Sequence, residues 1–449
     1  MVHLLVSVSR FTLIIMFAIY TYDCFAVLKR SISEKRQKRI YHRQNGILYL
    51  FLLNANAVLF ATTMDFKILA LFVGEVVFFA VTLFIYKKFY QNASRSLVNN
   101  MCILLAIGFV ILTRLNFGQA IRQFAIAAAA VVITCFIPIL VAKLKFFNRL
   151  AWLYALVGIA GLAVVAVAAT TEYGAKLSLS IGPVTIQPSE FIKIIFVFFV
   201  SAMLVKSIEF SNVVKTTVMA ALHVLILVVS KDLGGAFIFL VTYLAMLYVA
   251  TRQPGYLLLG VAASMAASVA AYFLFSHVQN RVIAWKDPLS VIDNQGYQIS
   301  QSLFAIGTGG WFGSGLNQGM PTKIPVVSKD FVFAAISEEL GGVFALCLIF
   351  VCISCLLMFF NIAMQMKDLF YKLVALGLAT VYGTQVFLTL GGVTKFIPST
   401  GVTLPLVSYG GSSLLATMIL FAIIQGLYVL HVNEGVVHET TKKKQKRTH

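Results

Sequence analysis

Among the 449 residues, Asp330 is the one best placed to do chemistry. It ends the string Ser328-Lys329-Asp330, directly before the apolar run Phe331-Val332-Phe333. A carboxylate at such a junction is partly desolvated, so its pKa rises toward the range useful to a general base. The same position also suits an acid that caps or stabilises the first turn of a helix starting near 331. Glu338 and Glu339 follow inside that helix. Ionisable groups at membrane depth are expensive and face a cavity or a partner, so these two either border a site or pair with a cation from another helix. Asp232, in Lys231-Asp232-Leu233-Gly234-Gly235, opens another helix, where an acid is stabilised by the macrodipole. Gln187-Pro188-Ser189-Glu190 reads as a helix start, and Lys193 lies three residues beyond Glu190, close enough to pair with it. Gly410-Gly411-Ser412-Ser413 precedes the last apolar window, where a serine cap would turn helix amides toward an anion. The six cysteines all lie in apolar stretches with no metal or disulfide spacing, and they read as small core residues.

The elements that must position these groups are membrane helices. Hydrophobic residues make up 60% of the chain and charged residues 11%, too few to cover a soluble protein of this length. A membrane span needs about 20 mostly apolar residues. Thirteen such windows are expected, at 11–28, 46–65, 68–86, 99–113, 123–142, 151–170, 190–205, 213–230, 234–250, 255–276, 333–360, 371–392 and 412–431. The first resembles a signal peptide, but a basic loop and a second span follow it, so it is kept as a helix.

The formal charge of +19 fits basic cytoplasmic loops rather than nucleic-acid binding. The cations gather in four places: Lys29, Arg30, Lys35, Arg36, Lys38, Arg39 and Arg43; Lys87, Lys88 and Arg95; Lys143, Lys145 and Arg149; and the tail with Lys442, Lys443, Lys444, Lys446 and Arg447. Thirteen spans put all four on one side if the N-terminus lies outside, and that side is expected to be cytoplasmic. The opposite face then carries the long segment 277–332. Trp285, Tyr297, Phe304, Trp311 and Phe312 make that segment too aromatic for a solvated tether, so a structured, partly re-entrant cap is expected. Pro398, Gly401 and Pro405 mark irregular backbone on the same face, tolerated at that level only when buried in protein or lining a cavity.

Taken in order, these strings resemble the SEDS family (shape, elongation, division and sporulation), the RodA/FtsW/SpoVE group. The matching strings are Gln187-Pro188-Ser189-Glu190 with Lys193, Asp232-Leu233-Gly234, Trp285-Lys286-Asp287-Pro288 and Gly296-Tyr297-Gln298. Further on come Gly309-Gly310 with Gly313 and Gly315, Asp330-Phe331-Val332-Phe333-Ala334 with Glu338-Glu339, and Pro398 to Pro405 leading into Ser408-Tyr409-Gly410-Gly411-Ser412-Ser413. They run from about residue 100 to 431. Ser328-Lys329 stands where His-Thr is usual before the aspartate, and Leu177-Ser178 where Arg-Trp is common.

The resemblance implies an all-α polytopic protein of the bacterial cytoplasmic membrane. Residues 1–98 would hold about three extra helices, 99–431 a ten-helix polymerase core, and 432–449 a basic cytoplasmic tail. It implies glycosyl transfer from lipid II to a growing glycan strand, with Asp330 as the catalytic aspartate. The other implied substrate contacts come from the matching strings: Gln187, Glu190, Lys193, Asp232, Trp285, Asp287, Gln298, Glu338, Glu339, Ser408 and Ser412. The departing undecaprenyl pyrophosphate would be met by cations, for which Arg114, Lys176, Arg281, Lys329 and Lys395 are candidates, or by a divalent ion such as Mg or Mn whose ligands are unknown. A class B penicillin-binding protein is the implied partner. Two other functions use the same features: a flippase for a lipid-linked precursor, because charged groups and broken helices also mark transport paths, and a non-catalytic scaffold for a transpeptidase.

Overall fold

The computed structural model describes residues 2–29, 32–143, 147–168, 170–172, 175–181 and 184–445. Arg30, Lys145, Lys446 and Arg447 of the basic segments lie outside the described residues, as do the side chains of Lys176, Lys442, Lys443 and Lys444.

Helices form over every apolar window. The first three are α1 (Val2–Ala26), α2 (Glu34–Thr63) and α3 (Phe66–Phe89). Next come α4 (Arg95–Leu115), α5 (Phe117–Thr134), α6 (Ile137–Lys143) and α7 (Ala151–Ala168). After a small sheet follow α8 (Ser189–Lys206), α9 (Phe210–Val229), α10 (Leu233–Thr251) and α11 (Pro254–Leu274). Two shorter helices, α12 (Ser276–Lys286) and α13 (Tyr297–Gly309), precede α14 (Val332–Gln365), α15 (Leu369–Val393) and α16 (Gly411–Gln445). Polar side chains start several of them: Asp65, Asn116, Asp232 and Asp368 each accept a first-turn amide.

Among the described residues, twelve helices are long and apolar enough to cross a membrane, with α5 and α6 counted as one span. The expected span at 190–205 falls on α8, which has 18 residues but carries Glu190, Lys193 and Lys206. The described residues of 170–186 are not helical. They form an antiparallel meander of β1 (Thr170–Glu172), β2 (Ala175–Ile181) and β3 (Val184–Ile186), with β2 in the middle.

The centre of the bundle is α4, buried from Ser96 to Thr113. The span was expected at 99–113, and the helix begins four residues earlier, at Arg95, with the amides of Asn99 and Asn100 partnered inside the protein. Asn99 donates to Gln44 of α2 at 3.0 Å, and Asn100 accepts from Tyr20 of α1 at 3.1 Å and donates to Ser354 of α14 at 3.2 Å. Between membrane helices such bonds contribute about 0.6 kcal/mol each on average. The first three helices are thus built into the bundle: Phe17 of α1 stacks on Phe344 of α14 with ring centres 4.3 Å apart. By contrast α11 has no buried residue and presents its length outward.

The fold departs most from the apolar pattern inside α14. Gly341 breaks the helix at φ 87°, ψ 168°. The glycine-rich chain after α13 plugs the break. Gly310 and Trp311 carbonyls accept the Gly342 and Val343 amides at 2.8 and 3.1 Å, while Ser314 and Gly315 amides donate to Glu338 and Glu339 carbonyls at 2.8 and 2.9 Å. The groups a broken helix would leave orphaned are therefore paired across two segments. From α1, Arg10 adds a hydrogen bond to the Gly313 carbonyl at 3.0 Å.

Candidate functional site

A cavity of about 460 Å³ opens where the starts of α8 and α10 meet α12, α13, the turn before α14 and the irregular segment 399–403. Asp330 faces it, half-buried, from a turn closed by its own amide donating to the Val326 carbonyl at 3.3 Å. The capping alternative for this acid does not match the geometry, because Phe331 stands at the start of α14 with no side-chain cap.

Across the cavity is Arg281 of α12, whose Nη1 donates to the Ser399 carbonyl at 2.8 Å. Gly401, at φ 73°, keeps the space between them open: a side chain there would begin 3.6 Å from Asp330 Oδ2 and 3.7 Å from Arg281 Nη2. The two charged groups form no ion pair. Burial raises the pKa of Asp330 above the ordinary aspartate range, against the pull of Lys329 and Arg281, which favour the ionised form. Burial lowers the pKa of Arg281, and Asp330 and Asp232 oppose that shift.

Asp232 holds the second wall. Its Oδ1 accepts the Gly235 amide at 2.8 Å and its Oδ2 accepts from Ser189 at 3.4 Å, which joins the starts of α10 and α8. Burial raises its pKa, the Gly235 hydrogen bond lowers it, and nearby Glu190 raises it further. Lys193, only 4% exposed, forms an ion pair with Glu190 at 2.5 Å and donates to Gln385 of α15 at 2.7 Å. Gln385 donates in turn to the Thr403 carbonyl at 3.1 Å. This chain fixes the 399–403 segment against α8 and α15. Gln187 and Gln298 complete the expected residues that line the cavity, together with Lys329.

The other expected residues lie elsewhere. Arg114 pairs with Glu339 at 2.9 Å and donates to the Gly319 carbonyl, while Glu338 accepts the Met320 amide at 2.7 Å. These three hold the chain after the glycine plug onto α14. Trp285 Nε1 donates to the Lys395 carbonyl at 3.2 Å, and Asp287 accepts from Ser290 in an exposed turn. Ser408 accepts the Leu404 amide, and Ser412 accepts the Gln187 amide at 2.9 Å, so neither lines the cavity. Lys176 has its backbone in β2 and its side chain outside the described residues.

The lining residues that were not expected include Lys231, Asn280 and Gln295. The signal for these was adjacency, since each neighbours a residue already singled out or its string. Among the described residues no group of three or more histidines, cysteines, aspartates or glutamates is gathered that fits a metal ion. The cavity's donor set pairs carboxylates with Arg281, Lys329, Lys231 and Lys193, so it does not fit a metal caged by the protein.

The family model for cell cycle proteins of the FtsW, RodA and SpoVE type matches residues 95–431. The peptidoglycan glycosyltransferase RodA of Mycobacterium tuberculosis is 38% identical over 323 residues, 67% of this chain and 67% of that protein. Stage V sporulation protein E of Bacillus subtilis is 32% identical over 261 residues, 56% of this chain and 70% of that protein. A solved chain from work on the structural coordination of polymerization and crosslinking by a peptidoglycan synthase complex superposes with a TM-score of 0.64 at 26% identity, covering 76% of this chain and 98% of that one. The Thermus thermophilus rod shape determining protein RodA shares the fold, with a TM-score of 0.57 at 24% identity over 76% of this chain and 97% of that one.

Proposed function

The chain belongs to the FtsW/RodA/SpoVE family, and on that footing we propose that it is a peptidoglycan glycosyltransferase polymerising lipid II at the outer face of the cytoplasmic membrane. It is a multi-pass membrane protein. The observation that carries the proposal is an unpaired carboxylate and guanidinium facing one another across an open cavity, Asp330 and Arg281 on either side of Gly401.

In the proposed reaction the GlcNAc 4-hydroxyl of the acceptor attacks the donor's anomeric carbon. Asp330 takes the hydroxyl proton, the new glycosidic bond forms with inversion, and the bond to undecaprenyl pyrophosphate breaks. Arg281, Lys329 and Lys231, all lining the cavity, oppose the charge that develops on the pyrophosphate. No nucleotide is consumed, which suits an extracytoplasmic site. The charge distribution supports an outward N-terminus and a cytoplasmic C-terminus. The relative from a peptidoglycan synthase complex supports a class B penicillin-binding protein as partner.

The deciding experiment is purified protein with lipid II in detergent. Glycan polymer is the expected product, whereas lipid II movement in vesicles without polymer would replace the enzyme by a transporter. The pH profile offers a finer check. A general base acts only when ionised, so kcat/KM climbs as pH rises through the pKa of Asp330. Burial sets that acid limb above the ordinary aspartate range. Arg281→Gln removes a cation that favours the ionised form, so the limb moves to higher pH while the plateau also falls. A limb that stays in place or moves to lower pH would argue against Asp330 as the base.

A further inference from the structure

We propose that the junction of α1 and α2 binds the phosphate-bearing headgroup of an anionic phospholipid, in the leaflet opposite the Asp330 cavity. A second cavity of about 460 Å³ lies there, lined by Lys35, Arg36, Arg39 and Arg43 with Tyr22 and Ser33. Among the described residues no acid lines it.

Of the four cations, only Arg43 is neutralised by an ion pair among the described residues. Asp23, fully buried, takes the Arg43 head through Nε at 2.7 Å and through Nη2. Lys35, Arg36 and Arg39 form no ion pair among the described residues. Ser33 caps α2, accepting the Arg36 amide; Glu34 is the one acid of that first turn and lies outside the cavity lining, so the local balance is three unpaired cations to one acid. Such a field draws anions.

The surface beside the cavity selects the lipid form of that anion. Ile15, Ile19 and Tyr22 are 58%, 40% and 59% exposed on α1, at successive four- and three-residue spacing. They form one apolar stripe running from the cavity along the helix, a track for an acyl chain beneath a phosphate. The leaflet follows from α1 itself: its first half reaches the glycine plug through Arg10, and its last turn borders this cavity. Assignment of that leaflet to the cytoplasm rests on the proposed orientation; binding does not.

The test uses the full chain in nanodiscs of phosphatidylcholine doped with phosphatidylglycerol, with bound lipid counted by native mass spectrometry. Wild type is expected to retain phosphatidylglycerol over phosphatidylcholine. The triple variant Lys35→Gln, Arg36→Gln, Arg39→Gln is expected to lose roughly 10- to 100-fold of that preference. Lys38→Gln, an exposed cation outside the cavity, should keep it. Equal retention by wild type and triple variant would overturn the proposal. Displacement of the lipid by excess inorganic phosphate would also overturn it, leaving a site for free anions. Retention is read without activity, so failure here leaves the polymerase proposal standing.

Discussion

Asp330→Asn is expected to lower lipid II polymerisation by about 10²–10⁴-fold, the usual contribution of a positioned base. The substitution keeps the shape and removes the proton acceptor. It should not weaken the fold. Burial raises the pKa of Asp330, so the folded chain holds that proton more tightly than the unfolded chain does. The ionised carboxylate is therefore a cost to the fold, absent below the ordinary aspartate range and fully present once pH exceeds the raised pKa. A neutral amide escapes it, so the variant should melt at or above the wild-type temperature at neutral pH. Loss of polymer with unchanged or raised melting temperature supports the assignment. Polymer at the wild-type rate sinks it.

Gly313→Ala is expected to be strongly destabilising. Gly313 has a φ of 79°, and an added Cβ would sit 2.3 Å from the Glu339 carbonyl oxygen and 2.7 Å from the Gly341 amide nitrogen. Both neighbours are backbone atoms that cannot rotate away: the Glu339 carbonyl is held by the Gly315 amide, and Gly341 lies between it and the Gly342 amide, held by Gly310. Backbone strain and overpacking together cost roughly 2–5 kcal/mol. Gly307→Ala is the matched control: it lies within α13 with nothing within 4 Å of its would-be Cβ. There alanine should be neutral or stabilise by about 0.5–1 kcal/mol. Melting curves of the two purified variants check this, and a Gly313→Ala protein that melts with wild type would refute the packed plug.

Much of the architecture was legible from hydropathy, because lipid imposes one rule on every span. The acids and cations of the cavity were legible as types: Asp232, Arg281, Lys329 and Asp330 all face it. What was not legible is which candidate sits against which. Arg114 read as a pyrophosphate ligand as readily as Arg281 did, and only tertiary packing pairs it with Glu339, 225 residues away. The break at Gly341 was hidden for a related reason. The window 333–360 is apolar apart from Ser337, Glu338, Glu339 and Ser354, and hydropathy does not report whether the backbone inside it follows one helix or two. The strands at 170–186 are too short and too mixed in character to show a period.

The plug in α14 also constrains how the site can move. Amides of Ser314, Gly315, Gly342 and Val343 are held by carbonyls from the other segment, as in a pair of facing strands. Neither segment can let go alone, so both belong to one cooperative opening unit whose deuterium uptake approaches that of the whole bundle. Asp330 hangs from the chain between these two anchors. Its wall is thereby a stationary side of the cavity, so any widening that admits or releases a bulky polymer has to come from another wall.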